Sequence, residues 1–255
     1  MQQARETRQI TAELRALGVA ADDLLMVHTS MRALGPVAGG AAGLLTALEE
    51  AVGAGGTVLV NLGAQESGVP FDVHSTPADP DVGVFAEVFR TTGATVCNDH
   101  PDGRFGARGP LAEELLRDLP WNDYYGPGSH LERFADLGGK VLRLGADQDT
   151  VTLIHLAEYR ARIPGKRRVR RRHALRLPDG GTTVATVSCL DDSAGIRPWT
   201  GEDYFALILR DHLATGSARQ GLVGDARSEL LDAQTLLTDA TVWMERHLTR
   251  ETAGD

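Results

Sequence analysis

Two short, largely apolar runs, Leu24 to Val27 and Thr57 to Asn61, separated by a glycine-rich loop and a helical segment, limit the folds open to this chain. Four or five such residues bounded by turn residues suit a strand buried on both faces. The loop Gly35 to Gly43 and a helix over about Ala42 to Val52 join them, and Gly53 to Gly56 turns the chain into the second run. Strand, loop, helix, strand reads as a right-handed βαβ unit of an α/β fold. The first strand gives way to His28, Thr29 and Ser30, at the strand end where such sheets gather ligands.

Elsewhere the pattern is of the same kind. Ile10, Leu14 and Leu17 recur at helical spacing within Ala4 to Leu17, and Gly18 marks the stop. Seven prolines between Pro70 and Pro127 break the middle into loops and two short helices, near Gly83 to Thr91 and Leu111 to Leu119. A helix near Leu131 to Leu137, a strand Val141 to Leu144 and a helix from about Thr150 to Arg162 follow. Val169 to Leu177 and Thr182 to Leu190 flank Pro178-Asp179-Gly180-Gly181 and predict an antiparallel hairpin, which makes the sheet mixed. A helix over Gly201 to Leu213, an extended piece near Gln220 to Val223 and an amphipathic helix over Asp232 to His247 complete the pattern. With no internal repeat or linker, residues 1–255 read as one domain.

Charge and cysteine content narrow the partners. A formal net charge of -9 disfavours nucleic acid and favours a cationic small molecule. The basic run Lys166 to Arg172 stands against that background as a solvated strand edge, a contact for a phosphate-bearing ligand, or a polyanion surface. Cys97 and Cys189, the two cysteines, build no disulfide framework or zinc spacing and suit a reducing compartment. The polar start MQQARETRQI and the lack of a long apolar stretch lead to the expectation of a cytoplasmic protein with no membrane span.

Several motifs are missing: the nucleotide phosphate loop, the G-x-G-x-x-G turn, the G-x-S-x-G elbow and H-E-x-x-H. The acetyl-CoA signature of the commonest N-acetyltransferase superfamily occurs once, at Arg15 to Ala20. It sits in a helix-to-strand turn, whereas the signature needs a strand-to-helix turn with amides facing a pyrophosphate. What remains is a series of segments: LLMVHTSMRALGPVAGG (24 to 40), GGTVLVN (55 to 61), HPDGRFGARGPLAEEL (100 to 115), YGPGSHLERFADLGGKVLRLGA (125 to 146), TVTLIHLAEY (150 to 159) and LDDS (190 to 193). In order and spacing they resemble the aminoglycoside 3-N-acetyltransferase family, with weaker similarity in EDYF and VGDARSELL.

That resemblance implies a three-layer α/β/α sandwich with a mixed β-sheet, distinct from the fold of the commoner acetyltransferase superfamily. It also implies transfer of acetyl from acetyl-CoA, without a metal, to the 3-amino group of a polycationic aminoglycoside antibiotic, conferring resistance. The chemistry needs a base for the amine proton and donors for the developing oxyanion. His155, in the matching context T-x-x-H-L-A-E, is the base the resemblance implies; read from spacing alone, the cheaper interpretation is a core histidine satisfied by a neighbouring carboxylate. Asp191 is expected either to hold the imidazole or to bind the amine, with Asp192 beside it, and Glu158 is the second candidate for either task. Thr152 would donate to CoA or to the oxyanion. His28, Thr29, Ser30, Arg32 and Gly35 would serve the phosphates and pantetheine of CoA. Gln65 and Glu66 fall where the family gathers substrate-binding residues. The expected assembly is a monomer or homodimer.

The chain departs from the family pattern at Arg104, His130, Val151, Ser188 and Cys189, which reads as a less acidic acceptor site. Two alternatives follow: the same transfer to a non-aminoglycoside amine, and a metal-dependent hydrolase using His28, His100 and His155. A third, a non-catalytic basic-surface binder, would rest on residues 166 to 172.

Overall fold

The computed structural model describes residues 3–66, 68–93 and 95–249. Helix α1 (Thr7–Leu17) buries Ile10, Leu14 and Leu17 and stops at Gly18, whose φ of 117° an L side chain rarely adopts. Strand β1 (Leu24–Thr29), the short α2 (Met31–Leu34), α3 (Gly40–Val52) and β2 (Thr57–Asn61) form the expected βαβ unit, with β1 and β2 parallel. Then come α4 (Val84–Thr91), β3 (Val96–Cys97), β4 (Phe105–Arg108), α5 (Ala112–Leu116), α6 (His130–Asp136) and β5 (Lys140–Leu144). Helix α7 (Ile154–Arg160) precedes the hairpin of β6 (Arg168–Arg176) and β7 (Thr182–Leu190). Helix α8 (Tyr204–Ala214), β8 (Arg219–Val223), β9 (Ala226–Asp232) and α9 (Ala233–His247) close the chain.

The main sheet runs β3-β4-β2-β1-β5-β9-β8. Its centre, β2-β1-β5, is parallel, and β4 and β9 pair antiparallel on either side. Alternating side chains divide two cores between its faces. Leu24 and Met26 of β1 pack with α5 to α9, while Leu25 and Val27 pack with α1, α3 and α4. The result is the expected three-layer α/β arrangement with a mixed sheet. The source of the mixing differs from the expectation, because the hairpin β6–β7 is a separate two-stranded sheet and the antiparallel strands of the main sheet are β3, β4, β8 and β9.

Two boundaries move in ways that matter for the site. Strand β1 runs on through His28 and Thr29, so these residues are fixed in the sheet rather than in the loop after it. Helix α7 begins at Ile154, four residues later than the spacing predicts, which leaves Thr152 in the turn before it. β1 is also where the topology reverses: α3 leads to β2 on one face, and the connection to β5 passes over the other. A crevice opens outside the carboxyl ends of strands at such a point.

Candidate active site

The ends of β1 and β2, the loop after β5 and the turn before α7 wall a cavity of about 700 Å³. His28 and Thr29 line it from β1, Ser30, Met31 and Arg32 from α2 and its cap, and Asn61 from β2. His28 Nε2 and Thr29 Oγ1 are buried with no hydrogen-bond partner among the described residues, and the Arg32 side chain is exposed at the mouth. Burial, with the Arg143 charge nearby, pushes the His28 imidazole down to about 3, so the ring is neutral. Arg143, itself buried, pairs with Glu229 at 2.9 Å and donates to the carbonyls of Ala146 and Asp147, bracing the loop after β5. Orphaned polar atoms on one wall and a guanidinium at the mouth suit a long ligand ending in phosphates.

His155 lines the cavity from α7. Its Nδ1 is 2.7 Å from Glu158 Oε2, one turn further along α7, and Glu158 is 1% exposed. The other oxygen of Glu158 accepts a short hydrogen bond from the Tyr204 hydroxyl on α8. The imidazole stacks on Tyr125 at 4.9 Å with planes 8° apart, and Phe205 meets it edge-on at 4.7 Å. Burial disfavours the charged ring, but the Glu158 charge and hydrogen bond outweigh it, so the imidazole is held above its ordinary value. Nε2 makes no hydrogen bond among the described residues, and the side chain keeps 17% exposure. Thr152 Oγ1 accepts from Asn61 Nδ2 at 3.4 Å, which leaves its own proton free to donate into the cavity.

A second cavity, of about 340 Å³, meets the first at Asp149, His155 and Phe205. Its remaining walls include Asp192, Asp203, Trp199 and Tyr204. Burial alone would raise the Asp192 carboxyl, but hydrogen bonds from Arg171 and Tyr124 hold it below the usual range. Aromatic walls with three carboxylates suit a hydroxylated polycation.

The expected site residues separate into those the fold gathers and those it does not. His155, Glu158, Thr152, His28, Thr29, Ser30, Arg32 and Asp192 meet at or beside these cavities. Asp191 does not: its Oδ1 accepts from the amides of Ser193 and Ala194 at 3.2 and 2.9 Å, shaping the turn after β7, and the group bonded to His155 is Glu158. Gly35 lies outside the cavity wall and ends α2 at φ 79°, where a Cβ would run into Asp225. Gln65 and Glu66 are exposed and line neither cavity. Asn61, Tyr125, Asp149, Asp203, Tyr204 and Phe205 were missed, although the EDYF segment carried the last three.

The departures at 104, 130, 151, 188 and 189 do not line the smaller cavity, whose walls carry Asp149, Asp192 and Asp203. Arg104 is fully buried and donates to the carbonyls of Val73, Thr76 and Pro77, pinning the loop at 73–77. His130 packs against Phe105 and Tyr125, and Val151 and Cys189 are core residues. His100, a ligand in the hydrolase alternative, uses Nδ1 on the amides of Asp102 and Gly103 and Nε2 on the carbonyl of Trp121. Among the described residues, no three His, Cys, Asp or Glu side chains gather as a metal site would need, and no helix is long and apolar enough to cross a membrane.

Comparison with known proteins agrees with this geometry. The sequence model of the family described as aminoglycoside 3-N-acetyltransferase matches residues 26–245. The chain is 36% identical to aminoglycoside N(3)-acetyltransferase VIII of Streptomyces fradiae, over 94% of this chain and 92% of that one. It is 34% identical to aminoglycoside N(3)-acetyltransferase III of Serratia marcescens, over 93% and 96%. AAC-IIIb in binary complex with CoASH superposes with a TM-score of 0.92 at 35% identity, covering 99% of this chain and 100% of that chain. AAC-VIa bound to sisomicin superposes at 0.90 and 35%, covering 96% and 98%. Matched in sequence across both cavities and in fold nearly end to end, this chain belongs to the aminoglycoside 3-N-acetyltransferase family.

Proposed function

We propose that this chain transfers acetyl from acetyl-CoA to the 3-amino group of an aminoglycoside, with His155 as the general base. The observation that carries this reading is the place of His155: fixed by Glu158 at one nitrogen, it stands where the two cavities meet. Acetyl-CoA occupies the larger cavity, its phosphates toward Arg32 and its thioester toward Thr152 and Asn61. The acceptor occupies the smaller one, its ammonium groups against the aspartates. A relative solved with CoASH and another solved with sisomicin support this division of ligands.

The reacting amine attacks the thioester carbonyl carbon as His155 Nε2 takes its proton, and a C–N bond forms. Negative charge gathers on the carbonyl oxygen, where the Thr152 hydroxyl and the Asn61 amide donate to it. The C–S bond then breaks and the imidazolium returns its proton to the departing CoA sulfur. Glu158 favours the imidazolium through the middle of this sequence, and the Tyr204 hydroxyl keeps that buried carboxylate in place. Direct transfer of this kind needs both substrates bound at once. The walls of both cavities draw on the main sheet, both helical layers and the turn after β7, which supports reading the chain as one domain.

The test is free-thiol release from acetyl-CoA with a panel of aminoglycosides and simple amines. The expected result is release that depends on an aminoglycoside and yields the 3-N-acetyl product. Equal release with simple amines would favour the non-aminoglycoside acceptor, and no release with any amine would remove the transferase reading. Expression in a susceptible bacterium is expected to raise the inhibitory concentration of the antibiotics that pass the assay.

A further inference from the structure

The hairpin β6–β7 presents two unlike faces. Arg168, Arg170, Arg172 and Arg176 are exposed on one, while Arg171 and His173 turn inward. Arg171 Nη2 makes a short contact with Asp192 Oδ1 and donates to Ser193 Oγ at 2.9 Å. Its Nη1 donates to the Tyr124 hydroxyl at 2.9 Å, and that hydroxyl donates to Asp192 Oδ2. Both oxygens of Asp192 are therefore engaged by protein donors. Behind them Asp102 lies 4.0 Å from Arg171 and 3.0 Å from His173 Nε2. Asp149 makes no hydrogen bond or ion pair of its own among the described residues, and Asp203 is engaged through Oδ1 by the amide of Phe205 at 2.7 Å.

We propose that Arg171 is a charge-setting residue of the acceptor site, cancelling Asp192 so that Asp149 and Asp203 are the carboxylates that receive ammonium groups. This deepens the reading above and rests on it. An ammonium placed beside Asp192 would meet a carboxylate whose charge is already matched and, just behind it, the Arg171 cation. A hydroxyl there meets no such penalty and can still donate to a carboxylate oxygen. The preferred acceptors are thus aminoglycosides that carry a hydroxyl, rather than an amine, on the ring facing Asp192. The outer arginines of the basic run lie on the opposite face; Arg171 reaches Asp192, and Arg167 donates to the carbonyls of Ala194 and Gly195 in the wall of the smaller cavity.

The experiment uses the full chain, Arg171→Met, and Asp192→Asn, with a set of aminoglycosides that share the reacting amine and differ in amine-for-hydroxyl exchange on the other rings. Initial rates of thiol release are measured at low and high salt, and thermal midpoints report folding. In Arg171→Met the KM of amine-rich members is expected to fall about three- to tenfold relative to hydroxyl-rich members. The change should sit in KM rather than kcat and shrink at high salt. Asp192→Asn removes the carboxylate at the cavity wall and leaves the Arg171 cation there, with Asp102 4.0 Å away behind it, and should move the same ratio the other way. Should Arg171→Met fail to fold, the opposite shift in Asp192→Asn still decides. A KM change uniform across the set in either variant would mean a structural role for the pair and overturn the proposal. Lack of thiol release by the parent chain with every aminoglycoside is a different failure, that of the transferase reading, and it shows before any variant is compared.

Discussion

Nδ1 of His155 lies 2.7 Å from Oε2 of Glu158, one turn away on the same helix, and this contact assigns the two ring nitrogens different tasks. Nδ1 is held by a carboxylate that is 1% exposed and capped by Tyr204, so the tautomer with the proton on Nδ1 is the stable neutral form. Nε2 is then the basic atom. Stacking on Tyr125 and the edge of Phe205 keep the ring from turning away.

Glu158→Gln tests that division. The amide keeps the size of the side chain but loses the charge that outweighs burial at His155. We expect kcat to fall about 10²- to 10⁴-fold, as when the orienting carboxylate of a base is neutralised. The acid limb of the remaining activity should move to lower pH, because the imidazole loses its partner. The stability effect has a defined sign. A histidine raised in the folded state stabilises fully below its unfolded value near 6.5 and loses that contribution as pH rises through the folded value. The deficit of Glu158→Gln should therefore be largest at acid pH and narrow toward alkaline pH. An unmoved acid limb would separate Glu158 from the base.

Tyr204→Phe removes the donor to a buried carboxylate and leaves the ring. The loss of stability should be about 1–3 kcal/mol by denaturant unfolding. Activity should fall less than in Glu158→Gln, since the His155 contact survives. Unchanged stability would mean that Glu158 finds another donor.

The buried histidines give the fold an acid limit. Burial, aided by neighbouring charges, pushes both His28 and His130 down to about 3, well below the ordinary value. Between pH 6.5 and 3 the unfolded chain binds more protons at these positions than the folded one, so stability falls as pH falls. Each such group contributes up to about 1.4 kcal/mol per pH unit over that range. Neither ring nitrogen of His130 has a hydrogen-bond partner among the described residues, and the ring sits against Phe105 and Tyr125. His130→Phe should give a shallower loss of stability between pH 6.5 and 5 than the parent chain. Superimposable slopes would contradict the burial argument.

Arg32→Ala removes the guanidinium at the mouth of the larger cavity. We expect the KM for acetyl-CoA to rise roughly tenfold while the acceptor KM changes little, a loss in keeping with one charge-assisted contact to phosphate. A matching rise in the acceptor KM would place Arg32 in the wrong cavity.

Much of this arrangement was legible in the residues, and the gaps have physical causes. The strands β1 and β2 and the hairpin were visible because apolar runs and a Pro-Asp-Gly-Gly turn carry their own signal. Strand β9 was hidden because its buried face begins with Ala226 and Ser228, which look like loop residues, and β4 because it is only Phe-Gly-Ala-Arg. The start of α7 was misjudged since Thr150 to Leu153 continue the apolar rhythm while forming turns. Which of Asp191 and Asp192 reaches the acceptor cavity could not be read from LDDS, because adjacent residues at a strand end leave in different directions. Glu158 stood out only as a residue at i+3 from His155; its pairing needed α8 to bring Tyr204 across the helix.

In the proposed mechanism His155 removes the amine proton and is not needed to hold acetyl-CoA. His155→Ala, assayed for thiol release with an accepted aminoglycoside and for thermal shift with acetyl-CoA alone, tests it most directly. Acetylation should be lost while the shift with acetyl-CoA is retained. Turnover near that of the parent chain would contradict it.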